Sequence, residues 1–127
     1  MIRAILGTLP DVVEHASAAE QARVATVLEH ILPIAPRRAG LLNDAAVISS
    51  LDRFDLERIA VPTLAISTAD CLYGTFEGAR YTAEHVPGAR FVGYATGGHL
   101  CVGHQDEVGS AIVAFVTAAL GGTAPGA

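Results

Sequence analysis

Hydrophobic residues recur at helical spacing through the first half of the chain. One predicted helix begins after Ser17, because Ser17 and Glu20 form a capping box that satisfies the first free amides of a helix. Pro33 and Pro36 predict the end of this helix, since proline cannot continue its hydrogen-bond pattern. Four positions at spacings of three and four residues form its apolar face: Val24, Val27, Leu28 and Ile31.

Two further helices are predicted, one on each side of this first helix. A helix from about 37 to 50 follows the prolines, and its apolar face consists of Leu41, Ala45 and Ile48. A short segment before Ser17 is also predicted to be helical, with apolar Val12, Val13 and Ala16. The first half is therefore expected to be mainly helical.

The pattern changes near Leu56, where short apolar runs alternate with amphipathic stretches. A buried strand is predicted just after Pro62, a position where the missing amide hydrogen of proline is tolerated. Pro87 and Gly88 predict a turn before a second strand. The predicted elements are, in order, a strand at 61–67, a helix at 75–86, a strand at 89–94 and a helix at 105–120.

This order predicts an α/β fold with a helical N-terminal half followed by β-α-β-α. A strand–helix–strand crossover of this length pairs its two strands in parallel. Two strands alone leave open edges and give the helices little sheet to cover, so the pattern is typical of the end of a larger sheet. We expect a helical region at 1–59, a βαβα region at 60–120 and a flexible tail at 121–127, because Gly121 and Gly122 stop the last helix.

Composition narrows the class of protein without identifying it. The 127 residues are 51% hydrophobic and 17% charged, which excludes an intrinsically disordered chain. Eight basic and 13 acidic residues give a net charge of −5, so nucleic acid is not an expected partner. Apolar runs are too short for a membrane span, and the N-terminus makes a poor signal peptide. A cytoplasmic location without membrane partners is the resulting expectation.

Asp70 and His99 are the strongest candidates for chemistry. Each follows a predicted parallel strand, and catalytic groups of open α/β sheets gather at the carboxyl ends of strands. An aspartate that accepts a hydrogen bond from one imidazole nitrogen fixes the tautomer, and the other nitrogen then acts as a base. Gly97 and Gly98 allow the tight turn that presents the ring. The structural alternatives are an aspartate that caps the helix near Thr75 and a loop histidine held by backbone bonds.

The stretch from 56 to 116 resembles the C-terminal part of an α/β-hydrolase-fold enzyme. The matching pieces are LERIAVPTLAIS at 56–67, Asp70, EHVPGARFV at 84–92, GGH at 97–99 and the last amphipathic helix. The resemblance implies that Asp70 is the triad acid and His99 the triad histidine, that the helical region is a cap or lid, and that no cofactor is needed. Leu72, Tyr73 and Leu100 would then line a substrate pocket, although loop packing explains them equally well.

The chain departs from the family pattern at two points. Ser67, Thr68 and Ala69 precede Asp70 where relatives commonly have glycine. More seriously, none of the five serines has the flanking glycines of a G-x-S-x-G nucleophile elbow: Ser17, Ser49, Ser50, Ser67 and Ser110. The expected protein therefore carries the acid and histidine of a hydrolase for esters or similar bonds, lacks the nucleophile, and is inactive alone.

Three explanations of this incomplete triad are open. The chain is a truncated hydrolase that starts at an internal methionine, one half of a split enzyme, or a non-catalytic module that binds or oligomerises. The expected partners are a small-molecule substrate once a nucleophile is supplied, and a complementing chain or a second copy that covers the sheet edges.

The cysteines and remaining histidines carry weaker signals. The spacing of His99, Cys101 and His104 matches no common zinc module, so no metal is expected. Cys71 and Cys101 are read as small buried residues, and whether they interact is left open. The other three histidines are predicted to lie on helix surfaces: His15, His30 and His85.

Overall fold

The computed structural model describes residues 2–121, which form a mixed α/β arrangement of helices around a short parallel sheet. The helices are α1 (Ile2–Ile5), α2 (Pro10–Glu14), α3 (Ala18–Ile31), α4 (Arg38–Ser49), α5 (Thr75–His85) and α6 (Gln105–Gly121). The strands are β1 (Leu64–Thr68) and β2 (Arg90–Tyr94). The predicted tail lies outside the described residues except for Gly121, which ends α6.

The sequence signals for element ends are confirmed in α3. The Ser17 side chain accepts a hydrogen bond from the Glu20 amide, as the capping box predicts, and the helix ends at Ile31 before the prolines. The strand after Pro62 begins two residues later than the proline, at Leu64. Short 3₁₀ turns at Ala35–Arg37 and Leu56–Arg58 flank the region of α4, and the sequence did not predict either of them or α1.

The two strands pair in parallel, as the crossover length predicts, with Leu64 opposite Arg90 and Thr68 opposite Tyr94. Helix α5 makes the crossover and packs on one face of the sheet, where the rings of Phe76 and Phe91 meet edge to face at 5.3 Å between centroids. Helix α6 contacts β1. The carboxyl ends of both strands therefore lie at one edge of the sheet, and their following loops are neighbours.

The buried core lies at that carboxyl edge rather than under the middle of the sheet. Its centre joins Leu6, which follows α1, and Val13 and Val24 of α2 and α3 to Val102 from the loop after β2. Partly buried residues extend the cluster along α2, α3 and the same loop: Ile5, Val12, Ala16, Val27, Leu28, Ile31 and Leu100. The core thus draws on both predicted regions, and it fixes the loop that carries His99 against the N-terminal helices.

Helix α4 differs from the amphipathic helix that the sequence pattern indicates. No residue between Arg38 and Ser49 is buried, and Leu41 and Ile48 of the predicted apolar face are 53% and 69% exposed. Helix α6 also exposes Ile112 at 45%. The predicted apolar face of α4 is therefore exposed within residues 2–121, whereas Val108, Phe115 and Ala119 of the predicted α6 face are half-buried. None of the helices in this described part of the chain is long and apolar enough to cross a membrane.

Candidate functional site

The Asp70 carboxylate connects the two loops at the carboxyl edge. Its Oδ1 accepts a hydrogen bond from the Gly98 amide at 2.8 Å, and its Oδ2 accepts one from the Gly97 amide at 3.1 Å. Thr68, at the end of β1, adds a bond from its hydroxyl to the Gly98 carbonyl oxygen at 2.8 Å. The loop before His99 is therefore clamped to the end of β1 by three hydrogen bonds, two of them to a charged group.

The glycines of this loop have conformations that side chains tolerate poorly. Gly97 has a φ of 126° and Gly98 a φ of 60°, and both residues are buried. A Cβ atom on Gly98 would overlap the side chain of Thr8, which is fully buried. The sequence prediction that glycines are required to present His99 therefore has a physical basis in both backbone geometry and space.

The imidazole of His99 faces groups other than the Asp70 carboxylate. Its Nδ1 lies 3.5 Å from the Cys71 sulfur, and its ring meets the Tyr73 ring edge to face at 4.9 Å between centroids. The sequence predicts that Asp70 accepts a hydrogen bond from this ring. In the described structure the carboxylate oxygens are instead bonded to the amides of Gly97 and Gly98, which draws Asp70 toward the backbone.

The N-terminal segment contributes a residue that sequence reasoning missed. The carbonyl oxygen of Gly7 accepts hydrogen bonds from the Leu72 amide at 2.9 Å and the His99 amide at 3.2 Å, so one atom joins both loops. A Cβ on Gly7 would lie 2.7 Å from the Tyr73 ring. The only signal in the sequence is a Gly7–Thr8 interruption between apolar residues, which belongs to no motif.

The three residues expected to line a substrate pocket have different surroundings. Tyr73 lies against His99, and its hydroxyl donates to the Ile5 carbonyl oxygen at 2.6 Å. Leu72 is 39% exposed beside it. Leu100 packs against the buried core, and its carbonyl oxygen accepts from Arg23 at 3.1 Å. Tyr73 and Leu72 therefore border open space next to His99, whereas Leu100 takes part in packing.

A small pocket of about 150 Å³ opens beside the His99 ring. It is lined by Ile66, Ser67, Thr68, Thr75, Gly98, His99 and Cys101. Ligand sites for drug-sized molecules are usually about 300 Å³ or larger, so this pocket fits only a small group. Three of its lining side chains are hydroxyls, which gives it polar walls.

An ion pair on α3 is hydrogen-bonded to the part of the loop that follows His99. The Glu20 carboxylate accepts from Arg23 at 2.9 Å and from the Gly103 amide at 3.0 Å. The hydrogen bond from the Arg23 guanidinium holds the pKa of Glu20 below its ordinary value, and the carboxylate in turn raises the pKa of Arg23. Because Arg23 also binds the Leu100 carbonyl, the start of α3 and the loop form one hydrogen-bonded unit.

The cysteines are free thiols in different environments. Cys71 is buried and lies against His99, whereas Cys101 has a φ of 49° and a pKa that burial raises. His104 stacks on the Tyr94 ring at 4.2 Å between centroids. Within residues 2–121, no three His, Cys, Asp or Glu side chains come together in a way that could hold a metal ion.

Of the three histidines predicted to lie on helices, His30 lies in α3 and His85 in α5, whereas His15 follows the last residue of α2. His15 and His30 are exposed, and His85 is half-buried with its ring stacked on Tyr81. His15 and His85 each place Nδ1 against a backbone carbonyl oxygen four residues earlier, at 2.7 and 2.8 Å. These contacts hold the His85 ring to α5 and the His15 ring to the end of α2, where His15 lines a pocket with Thr96 and Val102 of the loop after β2.

No family model matches the chain, and no curated protein or solved structure does so either. The resemblance to α/β-hydrolases therefore stays a prediction from the motif residues. At the carboxyl edge, the loop that carries the exposed His99 side chain is hydrogen-bonded to the Asp70 carboxylate. An imidazole and a carboxylate are groups that take part in general acid–base catalysis.

Proposed function

We propose that this chain supplies the acid and histidine of a hydrolase of the α/β type, with the nucleophile coming from outside residues 2–121. The proposed reaction is hydrolysis of an ester or a similar bond. Asp70 is the acid and His99 is the general base. A substrate would approach the open side of His99, where Leu72 and Tyr73 lie. This chemistry requires no metal or cofactor.

The observation that carries this proposal is the pair of hydrogen bonds from Gly97 and Gly98 to the Asp70 carboxylate. They connect residues 27 and 28 positions apart in sequence, at the end of one strand and in the loop after its parallel neighbour. A carboxylate that only capped α5 would have no reason to bind the loop that carries a histidine. The geometry therefore favours a shared role for Asp70 and His99 over two unrelated loop residues.

Turnover by this mechanism needs a group for the base to activate. His99 would remove a proton from the nucleophile during attack on the acyl carbon and return it to the leaving group, while Asp70 stabilises the resulting imidazolium. The chain has no G-x-S-x-G elbow. We therefore infer that the chain by itself does not turn over esters, and that a complementing chain completes the site.

The open sheet offers a place for such a partner. In residues 2–121 the strands pair only with each other, so β1 and β2 each leave one edge without a neighbour. A nucleophile-bearing α/β chain could add parallel strands there and bring its nucleophile to the same carboxyl edge. We include a reducing compartment such as the cytoplasm in this proposal, because Cys71 and Cys101 are both free thiols.

The test compares two preparations of the tagged protein in the hydrolysis of p-nitrophenyl esters. The chain made alone in a foreign host should show no turnover, and the chain isolated with its associated proteins from its own cells should show it. His99→Gln and Asp70→Asn should abolish that turnover. His104→Gln is the matched control, since His104 lies five residues away and stacks on Tyr94. Turnover that survives His99→Gln, or no turnover in either preparation, would contradict the proposal.

A second candidate function, a non-catalytic oligomerising module, is favoured by the apolar surface. Leu42 of α4 is 61% exposed and Val113 of α6 is 67% exposed, and in residues 2–121 each strand leaves one edge open. A second copy of the chain could cover them. Sedimentation over a range of concentrations tests this candidate: self-association that is unchanged by His99→Gln, together with no esterase activity in any preparation, would favour the module over the hydrolase.

A further inference from the structure

A chain of polar side chains runs from β1 to the His99 ring. The hydroxyls of Ser67 and Thr75 are 2.9 Å apart, the Thr75 hydroxyl donates to the Cys71 sulfur at 3.1 Å, and that sulfur lies 3.5 Å from His99 Nδ1. Ser67 and Cys71 are buried, whereas His99 is exposed. The buried end of this chain is thus fixed by packing, and the imidazole is the group that can move.

We propose that Cys71 is a positioning residue that holds His99 as the tautomer with its proton on Nε2. Thr75 already donates its hydroxyl hydrogen to the sulfur, so its oxygen accepts from Ser67. The thiol hydrogen then points to the remaining partner, the Nδ1 lone pair of His99. Each group donates to the next, and the neutral ring at the end of the chain carries its own hydrogen on Nε2.

This tautomer is the inactive, resting form of the site. Its assignment as inactive rests on the proposed function. A ring paired with Asp70 carries its hydrogen on Nδ1 and leaves Nε2 free to take a proton from a nucleophile. A ring held by Cys71 has Nε2 protonated and cannot do so. Activation therefore requires the imidazole to exchange Cys71 for Asp70, whose carboxylate meanwhile holds Gly97 and Gly98 in place.

Two other histidines provide opposite tautomers in the same molecule. His15 and His85 each place Nδ1 against a backbone carbonyl oxygen, at 2.7 and 2.8 Å. A carbonyl oxygen can only accept a hydrogen bond, so both of these neutral rings carry their hydrogen on Nδ1. His99, bonded to a thiol that can donate, is expected to differ from them.

The experiment measures ring-nitrogen chemical shifts by NMR on the full chain with isotope-labelled histidine, at a pH where the rings are neutral. His99→Gln assigns the His99 signals. In the wild-type chain His99 should carry its hydrogen on Nε2, whereas His15 and His85 carry theirs on Nδ1. Cys71→Ser should keep the His99 tautomer, because a hydroxyl donates as the thiol does. Cys101→Ala is the matched thiol control and should change nothing.

Cys71→Ala gives the decisive comparison. Without the thiol, the His99 tautomer should shift toward the form with hydrogen on Nδ1, and adding Asp70→Asn should remove that shift. If Cys71→Ala loses the fixed tautomer and adding Asp70→Asn makes no difference, the result would support the role of Cys71 and contradict the proposed pairing of His99 with Asp70. A wild-type His99 with hydrogen on Nδ1, or a tautomer unchanged by Cys71→Ala, would overturn the inference. If the alanine variant does not fold, a wild-type His99 with its hydrogen on Nδ1 still overturns the inference, and Cys71→Ser then serves as the variant.

Discussion

The carboxyl edge and helix α4 use similar amino acids with opposite results. At the edge, Leu6 and Val24 are each 2% exposed, and charged groups such as Glu20 are hydrogen-bonded to the backbone. In α4, Leu42 and Ile48 are 61% and 69% exposed, and no residue is buried. The difference shows that apolar spacing specifies a helix face, while burial depends on what the rest of the chain brings to that face.

The comparison also separates the two kinds of function considered for this chain. The edge is internally satisfied, since Asp70, the Gly7 carbonyl and the Glu20–Arg23 pair each bind a loop. Such order suits a catalytic group that must be held in place. The outer surface of α4, in contrast, exposes apolar side chains to solvent. Such a surface suits contact with another chain.

The largest expected effect is the loss of a core side chain at the edge. Leu6→Ala should lower the free energy of unfolding by about 3 kcal/mol, because it removes buried contacts and leaves a cavity. Leu42→Ala, the same change in α4, should alter it by less than about 0.5 kcal/mol. Urea unfolding of both variants measures the difference, and equal losses would refute the contrast between the two regions.

A smaller effect is expected from glycine replacement in the His99 loop. Gly98→Ala should destabilise the chain by about 2 kcal/mol, since the new methyl group meets Thr8 at a positive φ. Gly88→Ala is the control, because its φ of 73° is similar and nothing lies within 4 Å of the added Cβ. The midpoint temperature of thermal unfolding should therefore be lower for Gly98→Ala than for Gly88→Ala. The reverse order would argue against close packing of the His99 loop on Thr8.

Next in size is the loss of the carboxylate clamp. Asp70→Asn should cost about 1–2 kcal/mol, because the amide NH2 group donates and cannot replace the carboxylate oxygen that accepts from one of the two glycine amides. Asp44→Asn, on exposed α4, is the matched control with no expected cost. Hydrogen exchange should show faster exchange of the Gly97 and Gly98 amides in Asp70→Asn alone. Unchanged protection of those amides would mean that Asp70 does not hold the loop.

The smallest effect concerns the ion pair at the start of α3. The bond to Arg23 lowers the pKa of Glu20 in the folded chain, so its contribution is present above the ordinary glutamate value of about 4.3 and is lost as the pH falls through the lower, folded value. Glu20→Gln should cost about 0.5 kcal/mol at pH 7 and less in acid. If the loss of unfolding free energy caused by Glu20→Gln grew as the pH fell, it would contradict this prediction.

Much of the fold could be predicted from local signals. The Ser17 cap, the prolines after α3 and the turn at Pro87 and Gly88 all mark real element ends, because each acts through the backbone of its own neighbours. Parallel pairing followed from crossover length. The exposure of α4 could not be predicted, since it depends on elements distant in sequence.

The candidate site also has features that could be predicted from the sequence and features that could not. The meeting of Asp70 and the His99 loop could be predicted, because both follow neighbouring parallel strands. The role of Gly7 could not, since a backbone carbonyl leaves no mark in a sequence. The choice of Cys71 over Asp70 as the partner of the His99 ring could not be predicted, because the two residues are neighbours in sequence and follow the same strand.

The central claim is that His99 acts as a catalytic base beside Asp70, and the most direct measurement is the ester hydrolysis rate of the complex isolated with its natural partners. His99→Gln should lower kcat by about 1,000-fold or more, while His104→Gln leaves it unchanged. Equal rates for wild type and His99→Gln, with both chains folded, would contradict the claim.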